Sequence, residues 1–257
     1  MYKTEELLYE QLCKLKNEYN LQGIKAEFEA EGSTFRDLIR LRRLTLKAGV
    51  KLFLKIGGAE SKKDIKDALE IGVDGIIAPM IESQFAAKKF YESIQSIYAD
   101  CLIHTTLNIE TKHALENIDE ILNFAQGKFN NITIGRSDLS ASYFNKDITP
   151  DSNFIFNLLE KLSKKILSKN LTFTVGGSLS SKSIDLFNSA YAHLKTQIYK
   201  LETRKVILPT NEFLNKAKAI KEALKFEELY ILSKKDFSDL QISAEINRLT
   251  ELKRRIQ

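Results

Sequence analysis

Proline and glycine are scarce, at three and eleven in 257 residues, and no stretch rich in Pro, Gly or Ser divides the chain. That scarcity leaves no candidate linker and favours a single domain over 1–257, long enough to bury a substantial core. Cysteine is scarcer still. Cys13 and Cys101 stand far apart without metal-ligand spacing, which excludes a disulfide framework and suits a reducing compartment. No apolar run is long enough to span a membrane, and the opening MYKTEELLYE lacks the pattern of a secretion signal. The expected location is cytoplasmic, with no membrane partner. Net charge is only +5, from 39 basic and 34 acidic residues mixed along the chain, which argues against a nucleic-acid partner.

What the chain does have is a rhythm of short apolar segments and amphipathic ones. Residues 3–20 read as a helix, with Leu7, Leu8, Leu12 and Leu15 on one stripe. GIKAEFEAEG (23–32), VKLFLKIGG (50–58), VDGIIAPM (73–80), CLIHTTLNIE (101–110), NITIGRSDLS (131–140) and LTFTVGGS (171–178) read as strands, the fifth and sixth with their loops. HLKTQIYKLETRKVIL (193–208) reads as a last strand, long or bent. Between them, helices are predicted over 33–49 (with Ser33 or Thr34 as N-cap), 61–72, 83–99, 113–127, 153–169 and near 181–191. This series predicts a parallel sheet with helices outside it and, at this length, a closed (β/α)8 TIM barrel with an irregular or missing strand. The eighth strand would be replaced by the N-terminal helix or hidden in a segment read as helix. Residues 1–22 then form an N-terminal helix, 23–209 the barrel, and 210–257 a C-terminal helical extension.

The strands share a polar face. In CLIHTTLNIE, Ile103, Thr105, Leu107 and Ile109 alternate with His104, Thr106, Asn108 and Glu110. A barrel accounts for this: the apolar face packs on the helices, and the polar face points inward toward an active site at the C-terminal mouth. Lys25, Glu27, Glu29 and Glu31 take the inward parity on the first strand, and Lys51, Phe53 and Lys55 on the second. An open sheet with one wet face explains the alternation but not the helix after each strand.

Two carboxylates, Glu110 and Asp138, end consecutive strands. Either alone reads as a helix cap or salt-bridge partner; together they can share one hard divalent ion such as Mg2+. Glu202 and Arg204 fall late in the last strand with one parity, as a substrate grip or as an ion pair closing the barrel. Arg204 and Arg136 can each hold a carboxylate or phosphate bidentately. Glu31, His104 and Glu202 are the remaining acid/base candidates, His104 lying deep with a packing role as its alternative. VGGS (175–178) offers a close backbone approach to substrate, a weak signal.

VDGIIAPMIES, NIETKHALENIDEIL and ITIGRSDLSASY, in that order, resemble the HpcH/HpaI aldolase and citrate lyase β-subunit family of the phosphoenolpyruvate/pyruvate-type barrels. The similarity runs from about residue 24 to 208 and is strongest over 73–143. It implies Mg2+ or Mn2+ on Glu110 and Asp138. It also implies backbone amides around Gly135, Arg136, Ser137 and Asp138 holding the carboxylate of a pyruvate-like group. The reaction it implies makes or breaks a carbon–carbon bond beside a 2-keto acid or acyl thioester, through a metal-bound enolate.

The chain departs from that pattern in places. Lys55 stands where the family has arginine, and supplies charge without the bidentate fork. Glu29 matches the family's glutamate, but Ala30 occupies its histidine position. Glu70 is the candidate for that histidine's carboxylate partner. The expected function is a metal-dependent carbon–carbon lyase or aldolase acting on a small 2-keto acid or acyl substrate, with Lys55 and Glu29 catalytic and Gly135, Arg136, Ser137, Arg204 and Glu202 binding substrate. The rivals are a phosphate- or acyl-thioester-processing enzyme on the same barrel and a non-catalytic binding or assembly descendant; retention of Glu110 and Asp138 argues against the second. Phe213, Leu214, Ile220, Leu224, Leu229, Leu232, Leu240 and Ile246 exceed what an outermost helix needs to cover, which predicts a homo-oligomer.

Overall fold

The computed structural model describes residues 2–28 and 30–256. Eight strands form a closed barrel in chain order: β1 (Gly23–Glu27), β2 (Leu52–Lys55), β3 (Gly75–Ala78), β4 (His104–Ile109), β5 (Asn131–Gly135), β6 (Thr172–Gly176), β7 (Lys200–Glu202) and β8 (Val206–Pro209). The first seven run parallel, each with its sequence neighbour. The eighth strand lies inside the segment read as one long strand, not in a helix. After a 3-10 turn at Ala192–Thr196 the chain makes β7, reverses at Thr203 to Lys205, and returns as β8, antiparallel to both β7 and β1. Val206 N–H donates to the Thr203 hydroxyl (3.1 Å) and Thr203 N–H to the Val206 carbonyl (3.0 Å), which fixes this hairpin.

Helices follow the strands as the amphipathic pattern demands. α1 (Lys3–Tyr19) precedes the barrel, and α2 (Phe35–Ala48), α3 (Lys62–Ile71) and α4 (Gln84–Tyr98) follow β1, β2 and β3. Thr34, not Ser33, caps α2: its hydroxyl accepts from Asp37 N–H while the Asp37 carboxylate accepts from Thr34 N–H. The predicted helix over 113–127 breaks at Asn117 into α5 (Lys112–Glu116) and α6 (Ile118–Ala125). α7 (Arg136–Ala141) opens directly from β5; α8 (Asn153–Leu167), α9 (Ser181–Asn188), α10 (Thr210–Asn215) and α11 (Ala219–Ile256) complete the chain.

Outward strand residues such as Ile24, Leu54, Ile76, Leu107, Ile132 and Phe173 join the inner faces of the helices in the main core. Inside the barrel a separate apolar plug of Phe53, Ile77 and Ile207 sits below the polar mouth. The Phe53 ring occupies the space a side chain at Gly23 on β1 or Gly75 on β3 would need. Beyond the plug, Asn131 accepts from the Thr172 and Thr174 hydroxyls (2.8 and 2.9 Å) and donates to Thr133 (3.1 Å), so the polar parity of β5 and β6 is satisfied internally.

α11 has 38 residues and, at about 1.5 Å per residue, is a rod of roughly 57 Å. Its first half is anchored by buried Ala219, Ala223, Phe226, Leu229 and Tyr230. Phe237 still touches the start of α1 through Tyr2, ring centroids 5.0 Å apart. From Ser238 onward every residue whose burial is described is exposed. No helix among the described residues is long and apolar enough to cross a membrane.

The Phe53 packing gives a test. Gly75→Ala should cost about 1–3 kcal/mol of stability by overpacking the plug, and Phe53→Leu in the same chain should recover part of the loss. A urea midpoint for Gly75→Ala equal to wild type would contradict this packing.

Candidate active site

At the C-terminal ends of the strands lies a cavity of about 370 Å³, lined from β1 by Lys25 and Glu27, from β2 by Lys55, from the end of β4 by Asn108 and Glu110, and from β5 and α7 by Gly135, Ser137 and Asp138. β7 and the turn after it add Glu202, Thr203 and Arg204, and α11 adds Leu224 and Glu227. The sequence reading thus holds for the placement of Lys55, Glu110, Gly135, Ser137, Asp138, Glu202 and Arg204 in one cavity. Glu29 lies outside the described residues.

Glu110 is the most enclosed of the acids, at 2% exposure. Its Oε1 lies 3.4 Å from Lys55 Nζ and accepts from Met80 N–H (3.1 Å), while Oε2 accepts from Asn108 Nδ2 (3.2 Å). A side chain at Gly135 would sit 2.5 Å from Glu110 Oε2, so the bare backbone of β5 is what lets Glu110 lie across it. Glu202 uses Gly176 of β6 in the same way: a Cβ there would stand 2.8 Å from its Oε1. The glycines of VGGS make room for a glutamate and, at Gly177, for the backbone of Arg136 and Ser137, and Gly177 also lines the cavity.

Glu202 does not pair with Arg204 to close the barrel. Its Oε1 accepts from Lys25 Nζ at 2.7 Å, and Glu27 stands 3.8 Å from the same ammonium. Burial works against the Lys25 charge, but Glu202 and Glu27 outweigh it, and its pKa is raised above the ordinary lysine value.

Other expectations are corrected. Arg136 is fully buried and points away from the cavity. Its Nε donates to Gly176 O, one terminal nitrogen to Pro150 O and Asp151 Oδ1, the other to Gly177 O and Ser183 Oγ. Those bonds use all five guanidinium donors, which leaves none for a substrate. Arg136 instead clamps the loops after β5 and β6 together. Glu31 is engaged by buried Lys205 beside the Tyr230 ring, in an adjoining cavity. Glu70 lies exposed near the end of α3 and does not line the site.

His104 begins β4, at the end of the barrel opposite the mouth, edge-on to Phe53 with centroids 5.4 Å apart. Burial, aided by Lys200 and Lys51, pushes its imidazole down to about 4. It is a packing residue of the plug.

Sequence reasoning assigned no site role to Lys25, Glu27, Asn108 or Glu227. Strand parity marked the first three as inward. Glu227 carried no signal, because nothing in a helical pattern says which barrel loop the helix will cross.

The donor set suits a hard cation. Among the described residues no three His, Cys, Asp or Glu side chains form a ready-made cage. Yet Glu110, Asp138 and the buried Oδ1 of Asn108, which has no hydrogen-bond partner, offer oxygen to the same cavity. Oxygen donors with room left for water and substrate are what Mg2+ or Mn2+ takes.

A closed barrel with polar groups gathered at its C-terminal mouth has the architecture of TIM-barrel enzymes. Residues 36–156, from α2 into α8, match the family described as HpcH/HpaI aldolase/citrate lyase. That family is one of aldolases and citrate lyases. No curated protein matches the chain. Among solved structures, an HpcH/HpaI aldolase from Desulfitobacterium hafniense DCB-2 aligns at 18% identity and TM-score 0.60, covering 76% of this chain and 82% of that one. A citrate lyase from Burkholderia xenovorans LB400 aligns at 12% identity and TM-score 0.62, covering 81% and 72%. The protein CitE from Mycobacterium tuberculosis, solved in complex with magnesium and acetoacetate, aligns at 12% identity and TM-score 0.50, covering 80% and 86%. At such identities the likeness establishes the fold.

The position of His104 predicts a pH effect. The unfolded imidazole titrates near 6.5 and the folded one near 4, so between these values the unfolded chain binds the extra proton. This contribution leaves stability unchanged above pH 6.5 and lowers it as pH falls toward 4, by at most on the order of 3 kcal/mol. His104→Phe should flatten that part of the profile; parallel urea midpoints for variant and wild type from pH 7 to 4.5 would refute the assignment.

Proposed function

We propose that this protein is a carbon–carbon lyase or aldolase that acts through the enolate of a pyruvate-type 2-keto acid, with Mg2+ or Mn2+ held by Glu110 and Asp138. The observation that carries the reading is the convergence of Glu110, Asp138 and the unpartnered Asn108 Oδ1 on one cavity within the family segment. CitE of Mycobacterium tuberculosis, solved in complex with magnesium and acetoacetate, offers a precedent on this fold for binding a divalent ion and a small keto acid. When bound, such an ion supplies Lewis-acid polarisation of the substrate carbonyl.

The chain's own residues supply the rest. Lys55, beside Glu110, offers a fixed positive charge to the oxygen on which enolate charge develops. Gly135 and Ser137 form the wall against which the keto acid's carboxylate rests. Arg204, exposed at the opposite rim, meets the far end of a longer substrate, and Glu202 with Lys25 keeps that side of the cavity rigid. With Arg136 fully engaged, the rival phosphate-processing reading loses one of the two arginines it rested on.

Calorimetry with Mn2+ tests the metal assignment: Glu110→Gln and Asp138→Asn should each abolish tight binding, because so few protein ligands are present. Lys55→Met should leave Mn2+ affinity intact and lower turnover of a 2-keto acid, the mark of a transition-state contact. Unchanged Mn2+ binding in Glu110→Gln would end the reading.

The chain is further proposed to assemble with itself through the far half of α11. Phe213, Leu214 and Leu229 are buried against its own barrel, and Ile220 is partly covered. Leu240, Ile242, Ile246 and Leu249, each 55% exposed, remain uncovered along one rod. Light scattering at micromolar concentration should find an oligomer that truncation after Lys235 dissociates; a full-length monomer would refute this.

A further inference from the structure

Among the described residues, five carboxyl groups line the cavity: Glu27, Glu110, Asp138, Glu202 and Glu227. Glu27 and Glu202 share the Lys25 ammonium, and Glu110 is held by Lys55, Met80 N–H and Asn108. Asp138 is assigned to the ion in the reading above. Glu227 alone is left: it lines the cavity from α11, and neither an ion pair nor a hydrogen bond holds its carboxyl among the described residues.

Its place on the helix is fixed. Ile220, Leu224, Glu227 and Ile231 follow at spacings of four, three and four, and each lines this cavity or one adjoining it. On the other side of the same turns Ala223, Phe226 and Tyr230 are buried, so the helix cannot roll. A single carboxyl thus projects from an otherwise apolar stripe over the mouth. Among the described residues just after β1, Ala30 also lines the cavity.

We propose that Glu227 is the proton-transfer group of this site. The inference rests on the enolate reading and names the residue that reading leaves open. In cleavage of a 4-hydroxy-2-keto acid, the Glu227 carboxylate takes the proton of the 4-hydroxyl, and the O–H electron pair forms the aldehyde carbonyl. The C3–C4 bond breaks and its electrons pass into the enolate. The Glu227 carboxyl then returns its proton to C3, giving the 2-keto acid and restoring the carboxylate. Condensation is the reverse.

The surroundings suit the task. Partial burial raises the Glu227 pKa and Glu31 adds to it, while Arg204, Lys205 and Lys25 act in the opposite sense without cancelling the rise. A carboxyl so tuned is a stronger base than an exposed one.

The test uses the full-length protein with Mg2+ and pyruvate in D2O, following exchange of the methyl protons by NMR. Glu227→Gln should slow exchange roughly 100-fold or more with Mn2+ affinity and thermal midpoint unchanged, and Glu227→Asp should restore part of it. The acid limb of the wild-type exchange profile should vanish in Glu227→Gln. In parallel, carbon-13 titration of glutamate carboxyls, with Glu227 assigned by its loss in the Gln variant, should give a raised pKa that moves on adding pyruvate. Exchange in Glu227→Gln as fast as wild type overturns the proposal. If wild type binds Mn2+ but exchanges nothing, the enolate reading fails and the titration decides for Glu227 alone: an ordinary carboxyl pKa, indifferent to pyruvate, overturns it.

Discussion

Among the described residues three glutamates point into this barrel, Glu27, Glu110 and Glu202, each no more than 5% exposed. Carboxylates that far from water persist only beside cations or strong donors. Lys25 and Lys55 meet that requirement from neighbouring strands, and the rest of the site follows from it. Lys25 on β1 reaches Glu202 on β7 across the inside of β8, so the ion pair spans the place where the barrel closes. Removing the ammonium would leave two buried carboxylates uncompensated, a defect worth about 3–5 kcal/mol. The geometry of the mouth and the closure of the fold are therefore held by one group.

Charge alone does not fit such side chains inside eight strands. Three large inward residues lie over glycines on adjacent strands: Phe53 over Gly23 and Gly75, Glu110 over Gly135, Glu202 over Gly176. These glycines matter for the absent side chain and not for backbone freedom. Interior volume is thus shared among the strands, with an apolar plug of Phe53, Ile77 and Ile207, a hydrogen-bonded group of Asn131, Thr133, Thr172 and Thr174 where β5 and β6 begin, and charged side chains at the mouth.

Strand parity made much of this legible. It turned Lys25, Glu27, Phe53, Lys55, Asn108, Glu110 and Glu202 inward, because alternation along a strand is a local property. Non-local facts were not legible. The turn at Thr203 to Lys205 contains neither glycine nor proline, so β7 and β8 read as one strand. The same parity put Lys51 inside with Lys55, though Lys51 is exposed just before β2 begins. Arg136 looked available because nothing nearby in sequence announced the Gly176 and Gly177 carbonyls that take its donors. Glu70 was placed by the family resemblance alone and lies exposed on α3, and Glu227 depends on how a distant helix crosses the mouth.

The two sides of the cavity come from different parts of the chain. Lys55, Asn108, Glu110, Gly135, Ser137 and Asp138 fall within residues 36–156, the segment that matches the family. Lys25 and Glu27 precede it, and Glu202, Arg204, Leu224 and Glu227 follow it. The first side carries the oxygen donors and the lysine beside them, groups suited to a keto acid common to many substrates. The second carries a buried ion pair, an exposed guanidinium and a half-buried carboxyl on α11, where the variable end of a substrate would lie. Since α11 also extends past the barrel with its far half uncovered, whatever packs there bears on the helix that positions Leu224 and Glu227. A displacement of one helical turn is about 5.4 Å, more than the reach of a hydrogen bond. The proposed assembly and the proposed proton transfer thus share a single helix, whose register is held by the buried anchors Phe226 and Tyr230.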